Sequence, residues 1–345
     1  MRFEYYHSGL ADVPKLSIDG TVPNSIHFSH WEGNHTPLEV KADTSTEIAL
    51  NLVGSKDFER LTGGVELDTN NHFDTDGVLS VWTVLKGERA LDLKSELIAA
   101  AEAGDFSAYT NERAVRASIV IQGSDQPVEG EEAGSPLARY LAGEPVADDA
   151  RAYELVLPEV ERVLRHTNAY EPLWRDAWRL IEASLESFAR GTSTVEEHAD
   201  VGLSVVTLAP ELFGPHGFKP TRHAAPFTAI TRHARGQVYL IATPLKDGWS
   251  YRVDYPYYSW AETVVRPRIQ RRDFGQLIAR LNELESSQYG RWMPDANELA
   301  SAIKFMDQHG SPAASGLDPR TVAAEMRNAI KSSEFGVRSS ESKAI

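Results

Sequence analysis

The spacing of apolar residues along the chain changes at Val201, and this change limits the folds that the sequence can adopt. Before Val201, apolar residues recur with helical spacing, which predicts helices over residues 92–103, 110–121, 151–166 and 172–190. After it, short segments rich in β-branched and aromatic residues alternate with turn residues, as strands do. The sequence therefore predicts a helix-rich first part followed by a smaller α+β domain.

The composition excludes several classes of protein. Cysteine is absent, so disulfide frameworks, thiol nucleophiles and Cys-ligated zinc are excluded, and any metal site must use His, Asp and Glu. The net charge of −15 argues against binding to long duplex nucleic acid and leaves a small anionic substrate as the expected partner. No apolar run approaches the roughly 18 residues of a membrane span, and the start lacks the apolar core of a signal peptide. We therefore expect a cytoplasmic protein without a membrane partner.

Four local patterns describe the first part of the chain. Residues Ser25–Trp31 alternate like a strand. Residues Asp43–Val53 are typical of a helix with Asp43 as its N-cap. Residues Asn70–Gly77 form a polar loop, and Val78–Leu85 then predict a buried helix or strand.

The predicted domain boundaries follow these patterns. Further helices are predicted over residues 273–286 and 296–306. The Ser-rich segment from His309 onward predicts a poorly ordered tail with one short helix near residues 319–331. The length of 345 residues suggests roughly two domains. The boundaries that we expect are a metal-binding α/β domain over residues 1–122, an acidic loop and helical connector over 123–195, an α+β domain over 196–308 and the tail over 309–345.

The most informative segment is HFDTDGVLS, which begins at His72. Its side chains at His72, Asp74 and Asp76 follow one another at every second position, so in an extended backbone they share one face and converge on one point. Gly77 permits a sharp exit from the loop. Imidazole together with carboxylates suits Mn²⁺, Mg²⁺ or Fe²⁺ better than soft metals. The alternative for this segment is an Asp-rich turn or helix cap.

The segment from His72 to Ser80 resembles the first motif of the DHH phosphoesterase superfamily, HxDxDGxxS. Segments that resemble the second and third motifs precede it: Ser17–Gly20 (SIDG), Phe28–Trp31 (FSHW) and the following helix Asp43–Ile48. The resemblance, which covers about residues 15–86, therefore implies a circularly permuted DHH-like domain of α/β class with a parallel sheet.

The resemblance also implies roles for individual residues. His72, Asp74 and Asp76 would be first-motif metal ligands, Asp19 the carboxylate shared between two ions, and His30 the metal-binding histidine of the tripeptide. The implied cofactor is a pair of Mn²⁺ or Mg²⁺ ions, and the predicted catalytic residues are Asp74, Asp76 and His30.

This chain departs from the family at three places. Ser29 replaces the aspartate of the tripeptide, and Trp31 replaces its final histidine, which the family uses near the substrate phosphate. We therefore count Trp31 among the substrate-binding residues. The fourth-motif aspartate has no clear match, and Asp105 and Asp176 are the two candidates.

Basic residues collect in the C-terminal part, where DHH enzymes usually carry a substrate-binding domain with a GGGH loop that is absent here. Arginine suits phosphate or carboxylate, so we name His223, Arg232, Arg271 and Arg272 as candidate substrate-binding residues. The alternative is a set of solvated strand faces and ion pairs.

These observations predict a metal-dependent, phosphoesterase-like hydrolase that acts on a small phosphorylated or nucleotide substrate. One alternative is a non-catalytic protein that keeps the DHH-like fold and binds a metal or nucleotide, because Ser29 and Trp31 depart from the motif. A further alternative is a phosphatase similar to the haloacid dehalogenases, with Asp74 of FDTDGVL as its nucleophile. The whole chain also resembles a bacterial family described only as being of unknown function, which implies no mechanism.

Overall fold

A computed structural model describes residues 1–124, 134–213, 227–295 and 300–341 of the chain. The chain divides into two units, and each of them consists of two separate segments of the sequence. The N-terminal unit comprises residues 1–179 together with residues 260–268, and the C-terminal unit comprises residues 180–259 and 269–345. Both units contain helices and a sheet, so the predicted α/β class is confirmed.

The sheet of the N-terminal unit has short parallel strands in the order β1-β4-β2-β3. Strands β2 and β4 are buried throughout, as strands of a parallel sheet are when helices cover both faces. Because β2 lies between β4 and β3, the residues that follow these strands meet at one edge of the sheet. The strands are β1 (Arg2–Phe3), β2 (Leu16–Ile18), β3 (Ile26–Phe28) and β4 (Leu67–Thr69).

Helices supply most of the core of this unit. Helix α3 is buried from Thr75 to Val84 and packs against α1 and α4, so the apolar segment at Val78 forms a helix rather than a strand. The helices are α1 (Ser45–Val53), α2 (Phe58–Thr62), α3 (Thr75–Lys86), α4 (Lys94–Phe106), α5 (Glu112–Gln122), α6 (Pro136–Ala142), α7 (Asp149–Val156), α8 (Val160–Arg165) and α9 (Glu171–Arg190), of which α9 ends in the C-terminal unit.

The C-terminal unit contains a mixed sheet in the order β5-β6-β7-β8-β10-β9. Strands β6 and β7 are parallel, and the other neighbours are antiparallel. A buried cluster that includes Leu240, Val253, Leu281 and Phe305 forms its core. The elements are β5 (Thr194–His198), β6 (Leu203–Thr207), α10 (Phe227–His233), β7 (Val238–Leu245), β8 (Gly248–Asp254), α11 (Gly275–Leu284), β9 (Arg291–Pro294), β10 (Ser301–Met306) and α12 (Pro319–Glu341).

Two C-terminal segments differ from the prediction. The predicted helix over residues 296–306 is wrong for Ser301–Met306, which form strand β10; every second side chain of SAIKFM is buried, the spacing of a strand. The short helix predicted near residues 319–331 is present as the first part of α12, but it buries Val322, Met326 and Ile330 instead of lying in a poorly ordered tail, because its apolar residues recur every three or four positions and pack into the core.

The acidic segment over residues 123–149 is the first part of the predicted acidic loop and helical connector. It contains α6 and the start of α7, whereas residues 125–133 lie outside the described part of the chain. Among the described residues, the helices are either too short or too polar to cross a membrane.

Candidate metal centre

The candidate site lies at the carboxyl ends of three neighbouring parallel strands. Asp19 directly follows β2, His30 lies two residues beyond β3, and His72 lies three residues beyond β4. Side chains that follow adjacent parallel strands meet at the same edge of a sheet. Asp19 is central because β2 is the middle strand of the three.

Asp19, His72 and Asp74 form the first group of possible metal ligands, with ligand atoms that all lie within 4.8 Å of one another. Nε2 of His72 lies 3.0 Å from Oδ2 of Asp19 and 3.1 Å from Oδ2 of Asp74. Burial alone would lower the pKa of His72, but the carboxylates of Asp19 and Asp74 outweigh it and raise this pKa to about 11. In the metal-free protein, a proton therefore occupies the position that a cation would take.

Asp19, His30 and Asp76 form the second group, which is completely buried. Nε2 of His30 lies 3.8 Å from Oδ1 of Asp19 and 3.7 Å from Oδ2 of Asp76. Asp105, near the end of α4, brings its Oδ2 to 3.2 Å from the same nitrogen. Burial alone would lower the pKa of His30, but Asp105, Asp76 and Asp19 together raise it to about 10.

The two helix N-termini at the site determine where Asp74 and Asp76 point. Asp74 is the N-cap of α3, and its Oδ1 accepts a hydrogen bond of 2.7 Å from the backbone N–H of Gly77. Asp76 lies within α3, and its carboxylate accepts hydrogen bonds from the backbone N–H groups of Ser45 and Thr46 at 2.7 and 2.8 Å. The N-terminus of α1 thus holds Asp76 through its otherwise unsatisfied donors. Burial, with the charge of Asp19, raises the pKa of Asp76 to about 6.

Asp19 has a backbone conformation that residues other than glycine rarely adopt. Its φ of 68° lies in the left-handed region, which costs about 1 kcal/mol or more for a residue other than glycine. Its Oδ1 accepts hydrogen bonds from the Ser45 hydroxyl at 2.7 Å and from the Trp31 indole N–H at 3.3 Å. Burial alone would raise the pKa of Asp19. The neighbouring His72 and His30 together outweigh burial and lower this pKa to about 2, so the carboxyl is ionised.

His30 is oriented by a hydrogen bond on the side away from the carboxylates. Its Nδ1 lies 2.6 Å from the backbone carbonyl oxygen of Asp43 and donates to it. The Nε2 atom is therefore the one that faces the carboxylates, and it carries the lone pair when the ring is neutral. Metal-binding histidines are commonly held in this way.

Three buried polar atoms at this site have no hydrogen-bond partner among the described residues. They are Oδ2 of Asp19, Nε2 of His30 and Nε2 of His72, although the last lies only 3.0 Å from the first. A buried polar atom without a partner costs roughly 1–3 kcal/mol. Since the site also contains more carboxylates than imidazoles, a cation would satisfy both the orphaned atoms and the excess negative charge. Each of the two groups could hold a metal ion, and their oxygen and imidazole donors suit a hard divalent ion.

The structure brings together all five predicted metal ligands, His72, Asp74, Asp76, Asp19 and His30, but not in the predicted arrangement. The sequence predicts that His72, Asp74 and Asp76 converge on one point in an extended backbone. The helix α3 begins directly after Asp74, so Asp76 turns into the second group instead.

Of the two candidates for a fourth-motif aspartate, only Asp105 lies at this site. Asp176 lies on the surface of α9 and pairs with Arg179 at 2.9 Å. Asp43 was predicted to cap α1, but this prediction is wrong, because the N-cap is Thr44, whose hydroxyl accepts from the N–H of Glu47. The Asp43 carboxylate is instead bound by residues 264–266.

The candidate substrate-binding residues are distributed over both units. Trp31 borders the site; the residue is 41% exposed, and its ring packs edge-on against His72. Arg271 and Arg272 lie in the C-terminal unit beside Tyr255; the guanidinium of Arg271 lies over its ring, and the backbone N–H of Arg272 donates to its hydroxyl. Arg232 is an exposed residue of α10, and His223 lies outside the described residues.

Residues 260–268 contribute to the surroundings of His30, and no local pattern in the sequence predicts this contribution. The ring of Trp260 packs edge-on against His30 with centroids 5.0 Å apart, and the backbone N–H of Glu262 donates to the His30 carbonyl at 2.7 Å. These residues are more than 200 positions away from His30 along the chain, so local patterns could not have identified them.

Comparisons with known proteins identify a family and a distant structural likeness. The model of a family described as a family of unknown function (DUF6687) matches residues 2–326. No curated protein matches the chain. Among solved structures, the chain is similar to a pGpG-specific phosphodiesterase, PggH, from Vibrio cholerae, with 12% identity, a TM-score of 0.36, and coverage of 92% of this chain and 83% of that one.

Proposed function

The chain belongs to the DUF6687 family, whose function is unknown, and from its site we propose that it is a metal-dependent hydrolase of the phosphoesterase type. Its substrate in this proposal is a small phosphorylated compound or nucleotide. The residues that would act on it are those of the two groups around Asp19.

The shared carboxylate of Asp19 carries the proposal. Its Oδ2 faces His72 at 3.0 Å, and its Oδ1 faces His30 at 3.8 Å, so each oxygen belongs to a different group of ligands. One carboxylate between two cations is an arrangement that two-metal phosphoester hydrolysis uses, with the ions roughly 3.5–4 Å apart. The resemblance of the HFDTDGVLS segment to the first DHH motif supports the same reaction class.

In this proposal His72 and Asp74 would hold one ion, while His30 and Asp76 would hold the other, with Asp105 beside His30. Bound divalent ions would lower the pKa of a coordinated water and neutralise phosphoryl oxygens. Mixed imidazole and carboxylate ligands accept both Mg²⁺ and Mn²⁺.

Two features support a small substrate. The net charge of −15 would repel a long polyanion, whereas a single phosphoryl group can be neutralised by bound cations. The half-exposed ring of Trp31 lies directly beside Asp19 and His72, where it could stack against a base or another ring of the substrate.

The test is metal content and phosphoesterase activity in the same preparation. Protein purified without chelator should contain divalent metal and should hydrolyse one or more members of a phosphoester panel in the presence of Mn²⁺ or Mg²⁺. Asp74→Asn and Asp76→Asn should abolish this activity, whereas Asp176→Asn, the same change at an exposed position, should not. A protein that binds no divalent ion in the presence of excess Mn²⁺ and Mg²⁺ would contradict the proposal.

A non-catalytic metal-binding protein is the second candidate, and Trp31 favours it. The indole N–H of Trp31 donates to Oδ1 of Asp19, where a DHH enzyme would have a histidine near the substrate phosphate. This candidate predicts metal binding without turnover on the panel. Gain of turnover in Trp31→His would identify the tryptophan as the cause.

The haloacid-dehalogenase alternative has less support from the geometry. Oδ1 of Asp74 caps α3 through Gly77, and its Oδ2 faces His72, so neither oxygen is left to act as a free nucleophile. Four residues, 70–73, also separate β4 from Asp74, whereas that family places its nucleophile at a strand end. Covalent trapping of a phosphoryl mimic on Asp74 would favour this alternative.

A further inference from the structure

We infer that Asp43 and Arg266 are positioning residues for His30, and that residues 260–268 form a clasp that fixes the orientation of this histidine. This inference rests on the proposed metal site. The clasp belongs to the N-terminal unit, although the residues on both sides of it in sequence belong to the C-terminal unit.

The clasp contacts His30 through its backbone and its ring. The backbone N–H of Glu262 donates to the His30 carbonyl at 2.7 Å, and Ala261 forms an isolated bridge with Trp31. Trp260 packs edge-on against the His30 ring. The side chain of Glu262 in turn accepts from the N–H of Gly33 at 3.0 Å, which ties the clasp to the turn after His30.

Asp43 links the clasp to the ring nitrogen of His30. The Asp43 carboxylate, which is 3% exposed, accepts from the backbone N–H groups of Val264 at 2.5 Å and Val265 at 2.8 Å. Arg266 adds its own backbone N–H at 3.2 Å and its guanidinium at 2.8 Å. The backbone carbonyl of Asp43 receives the Nδ1 hydrogen of His30. Because a buried carboxylate is costly unless its oxygens are satisfied, the clasp fixes Asp43 and thereby the acceptor for His30.

Arg266 also contacts the helix α4 on the other side of His30. Its guanidinium reaches Glu102 of α4 at 2.7 Å, and Glu102 lies one turn before Asp105. The same guanidinium lies over the ring of Phe106, 4.9 Å from its centroid, and Phe106 packs against His30. Arg266 therefore connects the acceptor at Nδ1 of His30 with the helix that brings a carboxylate to its Nε2.

The consequence is an oriented ligand. With Nδ1 committed to Asp43, the other ring nitrogen of His30 is the atom presented to Asp19 and Asp76. Loss of a partner that orients a ligating histidine typically weakens metal binding about 10–100-fold. Loss of Arg266 should therefore weaken binding at the His30 group and spare the His72 group.

The test compares Arg266→Met with Arg268→Met, the same substitution at a clasp residue whose side chain is 87% exposed and does not contact Asp43. Titration of the metal-free protein with Mn²⁺ should show two ions for the unaltered protein and for Arg268→Met. In Arg266→Met, one ion should bind as before and the other about 10–100-fold more weakly. If Arg266→Met bound both ions as tightly as the unaltered protein does, the inference would be overturned.

A second measurement needs no metal. In the metal-free protein, the hydrogen on Nδ1 of His30 should give a slowly exchanging, downfield NMR signal, assigned by its absence in His30→Gln. Arg266→Met and the milder Asp43→Asn should lose or broaden this signal, and Arg268→Met should keep it. An unchanged signal in both of the first two variants would overturn the inference. Failure of the unaltered protein to bind metal would contradict the proposed function but not this measurement, so the two failures are distinguishable.

Discussion

Nε2 of His72 lies 3.0 Å from Oδ2 of Asp19, yet the two atoms do not form a hydrogen bond, and both lack another such partner among the described residues. In the metal-free protein the proton on His72 faces the ionised carboxylate of Asp19, because the pKa of His72 is raised to about 11 and that of Asp19 is lowered to about 2. A divalent ion coordinated by both atoms would take the place of this proton.

Divalent metal should therefore stabilise the folded protein. A ligand that binds only the folded state at a hundred times its dissociation constant adds about 2.7 kcal/mol to the free energy of unfolding. Thermal unfolding with excess Mn²⁺ or Mg²⁺ and with EDTA measures this difference. A melting temperature that is the same under both conditions would contradict metal binding at either group.

Metal binding should become tighter as pH rises from about 6 to 8. Nearby carboxylates raise the pKa of His30 to about 10 and that of His72 to about 11, so both rings carry a proton at neutral pH that the metal must displace. Each proton released contributes about a tenfold gain in affinity per pH unit in this range. Calorimetric titration at several pH values in buffers of different ionisation enthalpy measures both the slope and the number of protons. A metal affinity that decreases as pH rises would show that the histidines are not ligands.

Substitutions at Asp74 should separate the effect on stability from the effect on metal binding. Its Oδ1 caps α3, and asparagine caps helices about as well as aspartate, so Asp74→Asn should leave the free energy of unfolding nearly unchanged. Asp74→Ala removes the cap and should cost about 1 kcal/mol. Both variants lack the carboxylate that faces His72 and should bind metal more weakly. Chemical denaturation in EDTA and metal titration measure the two effects separately, and a large loss of stability in Asp74→Asn would contradict this assignment.

Gly77 should not tolerate a side chain, because three polar atoms lie close to the position that a Cβ atom would take. A Cβ atom at this position would lie 2.9 Å from the Tyr153 hydroxyl, 2.9 Å from Nδ2 of Asn70 and 3.1 Å from Oδ2 of Asp19. Gly77→Ala should therefore cost about 1–3 kcal/mol in the free energy of unfolding.

Tyr153→Phe provides the matched comparison. The buried Tyr153 hydroxyl has no hydrogen-bond partner among the described residues, so its removal should leave stability unchanged or slightly higher. It should also relieve part of the cost of Gly77→Ala in the double variant, since one of the crowding atoms is gone. Denaturation of the two single variants and the double variant gives this coupling. Strict additivity would show that Tyr153 does not limit the space at Gly77.

The sequence predicted the ligand-rich loop after β4 because His72, Asp74 and Asp76 are close together in the chain and of types that bind metal. It did not predict that the N-cap at Asp74 would start a helix and send Asp76 into a separate group. Side chains at every second position share one face only while the backbone stays extended. A helix N-cap ends the extended backbone within one residue.

The other contributions depend on contacts between distant parts of the chain. Asp105 reaches His30 because α4 packs against α3 and α1, and Arg266 reaches Asp43 across more than 200 residues of sequence. Neither residue has a local pattern that distinguishes it from an ordinary helix or loop residue. Asp19 and His30 are predicted only by the resemblance to a permuted DHH domain, because that resemblance compares whole motifs rather than neighbouring residues.

The clasp has a consequence for how such a protein can change over generations. Every side chain of the two candidate groups is encoded before residue 107, but the clasp is encoded after most of the C-terminal sheet. Recombination that transferred only the first half of the gene would deliver the acids and imidazoles without the segment that orients one of them. The two halves of the reading frame should therefore be inherited together and should be found fused rather than as separate, exchangeable modules.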